Sequence, residues 1–120
     1  MLERMQGLPD DILGFEAKGE ITGDDYESVL IPAVEKMTAQ YKKVRFLYYL
    51  GDDFLGFTAK AMWDDAKVGL QHLTSWERIA VVTDVDWIRT AIKAFGFVMP
   101  GHVRVFGNNG LMEARQWLSE

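Results

Sequence analysis

Two acidic pairs, Asp52-Asp53 and Asp84-Val85-Asp86, could hold a hard divalent cation through carboxylate oxygens. Each follows an apolar run that reads as a β-strand, and in open α/β sheets ligands gather at the carboxyl ends of the strands. Gly107-Asn108-Asn109-Gly110 occupies a third such place, where backbone N–H groups at a helix start could receive an anion. Each feature also has a plainer use, and the plainer use outweighs the chemistry. Aspartate is a preferred helix-start residue and asparagine and glycine are preferred turn residues, while no phosphate-loop lysine and no GxGxxG occur. His72 and His102 have no second histidine or cysteine at metal-ligand spacing, so His72 suits a helix C-terminus and His102 a solvated strand end. Ser28, Ser75 and Ser119 lack a strand-to-helix nucleophile elbow. The expectation is a protein without enzymatic activity, with no metal and no cofactor.

A different set of residues stands out by apolar crowding where loops are expected. Phe54, Leu55 and Phe57 precede the second long helix, Trp63 lies within it, and Phe97, Val98 and Met99 follow the third. Large apolar side chains in such places are either covered or used. Two readings stand: they fold inward as lids on the core or meet a second copy of the chain, or they line a pocket or touch a membrane. Trp87, at the start of a regular helical stripe, reads as core.

Composition narrows the classes. With 120 residues, 48% of them hydrophobic, the chain suits a single α/β domain with one core. The absence of cysteine removes disulfides and thiolate chemistry and suits a reducing compartment, so a cytoplasmic protein is expected. Residues 1–10 carry no signal-peptide core and no apolar membrane span, and read as an N-terminal extension. A formal charge of −5 disfavours nucleic acid as a partner and makes any peripheral membrane contact mainly apolar.

The elements that would position these residues follow from periodicity. Residues 11–21 alternate Phe15, Ala17 and Gly19 against Glu16, Lys18 and Glu20, predicting a first strand at a sheet edge. Thr22 and Asp25 form a capping-box-like start to a long helix, with Tyr26, Val29, Leu30, Ala33, Val34, Met37 and Tyr41 at helical spacing and a kink at Pro32. Residues 44–50 predict a central strand covered on both faces, and residues 51–57 a loop. A helix over residues 58–73 is expected to turn Met62, Ala66, Gly69, Leu70 and Leu73 inward. Then come a strand over residues 78–83, a helix capped by Asp84 and ended by Gly96, a strand over residues 102–106, and a last helix with Leu111, Ala114, Trp117 and Leu118 inward. Four βα units predict a mostly parallel four-stranded sheet, one edge strand of which is free to run antiparallel.

The run Phe15-Glu-Ala-Lys-Gly-Glu-Ile-Thr22 with Asp25-Tyr26 and Pro32 downstream, Met62-Trp63-Asp64-Asp65, and Trp76-Glu-Arg-Ile-Ala-Val-Val-Thr-Asp84 with Trp87 resemble the SpoIIAA-like family. That family is related in fold to STAS domains and to the CRAL-TRIO lipid-binding fold, and the resemblance spans roughly residues 10–118. It implies a four-unit β/α superhelix. It further implies binding of a small apolar or lipid-like ligand and membrane association through mobile helices around an apolar pocket; the apolar crowding makes Phe54, Leu55, Phe57, Trp63, Phe97 and Met99 the expected contacts. The alternative is a STAS-like regulatory interaction domain or homodimer. STAS antagonists of anti-sigma factors carry a phosphorylatable serine at a helix start; the corresponding stretch here, Gly51 to Thr58, has no serine and offers only Thr58.

Overall fold

The computed structural model describes residues 1–96 and 101–120. Its centre is β4 (Val44–Leu50), where Val44, Phe46, Tyr48 and Leu50 pack into the core on one sheet face and Leu47 into the core on the other. Burial on both faces explains its nearly continuous apolar run. Around it β1 (Leu2–Arg4), β2 (Ile12–Ala17), β6 (Trp76–Thr83) and β7 (His102–Phe106) complete a sheet of order β1-β2-β4-β6-β7. The pairs β2·β4, β4·β6 and β6·β7 are parallel, and β1·β2 is antiparallel.

The main sheet therefore has five strands and is mixed, where four mostly parallel strands were expected. The extra strand comes from the N-terminal extension. Leu2 is buried, and the pairing of Leu2 with Ala17 and of Arg4 with Phe15 puts β1 at the edge and β2 inside. Three residues are too short a run for an alternation to be read. The segment over residues 11–21 is also two strands. Gly19 (φ +67°) breaks it, in a conformation that favours glycine, and β3 (Gly19–Ile21) leaves the main sheet to pair in parallel with β5 (Phe54–Phe57). The expected loop over residues 51–57 thus holds a short strand.

The first helix begins at the capping box that Thr22 and Asp25 predict: Thr22 Oγ1 accepts from Asp25 N, and Asp25 Oδ2 accepts from Thr22 N. After α1 (Gly23–Asp25) comes a π-helical turn (Tyr26–Leu30), then α2 (Ile31–Gln40). Ile31 N donates to Tyr26 O five residues back. This widened turn is how the helix takes up Pro32, which has no donor for Ser28 O and would crowd it in a regular helix. Tyr26, Leu30, Val34 and Met37 face the core.

Helices α2, α3 (Ala59–Gln71) and α4 (Asp86–Phe95) contribute to one core cluster with Phe15, Phe46, Tyr48, Trp76 and Val81. On the other face α5 (Leu111–Ser119) packs Ala114 and Leu118 on Ile12, Leu47, Ala80, Val82 and Phe106, with Met5 and Leu8 beside them. Two arginines hold the end of α5: Arg45 donates to Leu118 O, and Arg78 donates to Trp117 O at 2.6 Å. Cations on the last carbonyls of a helix both satisfy and oppose its negative end.

Two helix faces differ from expectation. In α3 the buried residues are Ala61, Asp64 and Val68, while Met62, Ala66 and Leu70 face solvent. In α4 Ile88 is buried, but Trp87 is 52% exposed and Phe95 is exposed too, so Trp87 is not a core residue. Asp84 does not cap α4. Val85 holds the N-cap position and its N–H bonds Thr83 Oγ1.

A Cβ on Gly101 would collide with the backbone carbonyl of Trp76 and lie 2.9 Å from Glu77 O. Gly101→Ala is expected to push β7 off β6 and lower stability by about 1–3 kcal/mol, read from urea unfolding. Thr22→Ala should cost about 1 kcal/mol in the same assay through loss of the cap.

Candidate functional site

The apolar residues singled out before α3 divide in two. Phe54 and Phe57 lie 4.9 Å apart by ring centroids, and Phe57 packs edge-on against Tyr26 at 6.5 Å and Tyr48 at 6.1 Å. They close the core beneath β3 and β5. Leu55, between them on the opposite side of the strand, is 82% exposed. Trp63 is 66% exposed and Leu70 69%, with Met62 and Ala66 also facing out. Positions 62, 63, 66 and 70 form one stripe at helical spacing. The structure thus joins Trp63 to Met62 and Leu70 on an open surface, while Phe54 and Phe57 are spent on the core. Phe97, Val98 and Met99 lie outside the described residues.

This orientation goes with a polar chain that is buried at its two tyrosines and reaches the surface at Asp65. Tyr26 Oη donates to Asp65 Oδ1 at 2.7 Å, and the Tyr48 hydroxyl lies 2.9 Å from Tyr26 Oη. Because Tyr26 spends its one proton on Asp65, Tyr48 is the donor of the second bond. Burial raises the pKa of both phenols, the more so with the Asp65 charge near them. Asp65 keeps a wide rim open to water while its carboxylate lies against the Tyr26 hydroxyl. Crowding by protein raises the pKa of this carboxyl, and the Tyr26 hydrogen bond only partly opposes the rise. Beside it Asp64 is buried, and its Oδ2 has no hydrogen-bond partner; Lys60 Nζ is 4.0 Å away and is itself paired with Glu27 at 2.7 Å. At the far end of α3, Trp76 Nε1 donates to Gly69 O at 3.3 Å. The inner face of α3 is thus small and acidic, and its outer face apolar.

The acidic pairs meet only in part. Asn108 N donates to Asp84 Oδ1 at 2.9 Å, and Asn108 Nδ2 donates to Asp52 Oδ1 at 3.3 Å. Asp52 and Asp84 therefore act through Asn108 to tie together the carboxyl ends of β4, β6 and β7. Asp53 stands aside, its carbonyl accepting from Gly19 N, and Asp86 sits exposed in the first turn of α4. Among the described residues no three acidic or histidine side chains gather to hold a metal ion. His72 closes α3 as its C-cap, and His102 is exposed at the start of β7. Thr58 caps α3, its Oγ1 accepting from Ala61 N at 3.1 Å.

Sequence reasoning missed the Tyr48–Tyr26–Asp65 chain and the two arginines on α5, since each joins residues far apart in the chain. A raised carboxyl pKa gives a signed consequence. The contribution of Asp65 to stability is complete below the ordinary aspartate value of 3.8 and is lost as pH rises through its higher folded value. Asp65→Asn, which keeps an acceptor for Tyr26 without the charge, should therefore gain stability relative to the parent at about pH 7 but not at about pH 3, by urea midpoints.

The SpoIIAA-like family profile matches residues 12–119. Among solved structures, an uncharacterized protein with a SpoIIAA-like fold from Shewanella loihica is similar at 27% identity and a TM-score of 0.78, over 98% of this chain and 92% of that one. No curated protein matches significantly. With the match running from the second strand to the end of the last helix, the chain belongs to the SpoIIAA-like family.

Proposed function

We propose that this protein is a non-enzymatic binding module whose contact surface is the outward stripe of α3 with Leu55, and whose occupant is a small apolar or lipid-like molecule met at a membrane surface. The observation that carries this reading is the rotation of α3. A helix that buries Asp64, sets Asp65 against Tyr26 and leaves Met62, Trp63 and Leu70 in water spends folding stability on a surface that only a contact can recover. No helix among the described residues is long and apolar enough to cross a membrane, so contact of this kind would be peripheral. Covering each large apolar side chain is worth about 1.5–3 kcal/mol.

A second reading, a protein-interaction surface or homodimer, is favoured by α4. Trp87 and Phe95 are exposed there, so a second helix on the same sheet face as α3 also presents large apolar side chains.

Co-sedimentation with phosphatidylcholine vesicles separates the two. The parent should bind, with a blue shift of tryptophan emission, and Trp63→Ser and Leu70→Ser should each weaken partitioning by about tenfold or more while leaving the unfolding transition cooperative. Partitioning that does not change in either variant removes α3 as the contact. A concentration-dependent dimer lost in the same variants, without vesicle binding, replaces the lipid reading with the second one.

A further inference from the structure

The five strands leave β7 at the edge of the main sheet, and no strand of the described residues pairs with its outer side. The pairing of β6 with β7 runs in unbroken register from Arg78·His102 to Val82·Phe106, so this edge is regular and carries no bulge. Such an edge is a template for another strand unless it is short, bulged, charged or covered. The opposite edge, β1, has only three residues.

Along β7 runs a groove of about 620 Å³ that straddles the sheet edge, with Ile92 and Lys93 of α4 on one side and Trp117 of α5 on the other. Among the described residues its lining carries Arg78, Lys93, His102 and Arg104 and no acidic side chain. This concentration of positive charge stands out in a chain of formal charge −5. Arg78 already serves the carbonyl of Trp117. Arg104 does not: its guanidinium lies over the rings of Phe106 at 4.8 Å and Trp117 at 5.3 Å, and no carboxylate among the described residues pairs with it. Aromatic stacking holds that fork in place with its donors unused.

We infer that this groove receives an acidic segment of another protein in extended conformation, added to β7 as a sixth strand. The backbone edge would supply main-chain hydrogen bonds. Successive side chains of an added strand point to opposite faces. One set would meet Ile92, Val103 and Val105 on the α4 side, and the other would meet Arg104 and Trp117 on the α5 side. The matching ligand therefore alternates apolar and acidic residues. A second copy of this chain fits poorly, because an antiparallel β7·β7 pair centred on Arg104 would set the two Arg104 side chains opposite each other and bring two cationic linings together. This site is separate from the α3 surface and does not depend on it.

The probes are two capped seven-residue peptides, one alternating glutamate with valine and one alternating lysine with valine. Amide exchange of the labelled protein followed by NMR should show β7 amides slowed about tenfold or more by the glutamate peptide and unchanged by the lysine peptide, with binding that weakens as salt rises. Arg104→Glu should reduce affinity for the glutamate peptide by about tenfold or more. Lys93→Glu, on the exposed surface of α4, should reduce it several-fold and carries the test if Arg104→Glu perturbs the fold. Equal affinity for the two peptides, binding without protection of β7, or no binding would overturn the proposal. So would phosphatidylglycerol vesicles displacing the peptide while binding through the same residues more tightly. In the vesicle case the groove is a contact for anionic lipid, and in the others Arg104 and His102 act only as charges that keep the edge from aggregating.

Discussion

Tyr26 is fully buried, and a phenol with no partner in an apolar core would cost about 1–3 kcal/mol. Its hydroxyl is satisfied from both sides, by Tyr48 on the central strand and by Asp65 on α3. This one chain connects the sheet, the π-helical turn and the helix outside it. Since Asp65 must face Tyr26, Ala61 and Val68, on the same side of α3, become its packing residues, and Met62, Trp63 and Leu70 are turned to solvent. The surface on which the functional reading rests is therefore a consequence of a polar requirement in the core. Phe57, packed on both tyrosine rings, ties the small β3·β5 sheet to the same point.

The two faces of the sheet solve their problems differently. The face under α2, α3 and α4 is aromatic, with Phe15, Phe46, Tyr48 and Trp76 making edge-on and tilted contacts at 5.6–6.4 Å. The face under α5 is smaller and mostly aliphatic, with Phe106 tilted against Trp117 at 6.1 Å, and its helix ends on arginines from two neighbouring strands. Arg45 stands opposite Arg78 in the β4·β6 register, a like-charge pair that would be unfavourable alone. Glu77 at 2.6 Å from Arg45, together with the α5 carbonyls, resolves that repulsion. Charges that look like a solvated strand surface are in this way part of how the last helix is held.

At the carboxyl ends of the strands, where ligands of open α/β sheets gather, the polar residues bond one another. Asp52, Asp84 and Asn108 close three strand ends into one unit. Together with Thr58 engaged as a helix cap, this gives Asp52, Asp84 and Thr58 structural partners, while Asn108 Oδ1 is buried without one. The apolar stripe of α3 lies instead on the outside of the helix layer over one sheet face, and the cationic strand β7 at the edge of the sheet. A SpoIIAA-like fold serving as an interaction domain would then work through its sides.

By itself the sequence determined the α/β class, the family, the central place of β4, the Thr22 cap, a disturbance of the helix at Pro32 and the limits of β7. The family rests on the resemblance of short motifs, and the others on local periodicity, capping chemistry or proline geometry, which act between residues a few positions apart. Tertiary structure alone decided which way α3 faces. Its residues 62, 66 and 70 make an apolar stripe that periodicity reads as inward, whereas the structure buries Ala61, Asp64 and Val68 and bonds Asp65 to Tyr26, 39 positions earlier. The same holds for Trp87 on α4, for β1, which is too short to show a pattern before it pairs with β2, and for β5, whose partner β3 is over thirty residues earlier. Periodicity records which faces of an element are alike; which of two faces is covered depends on long-range pairing and on satisfying buried polar groups.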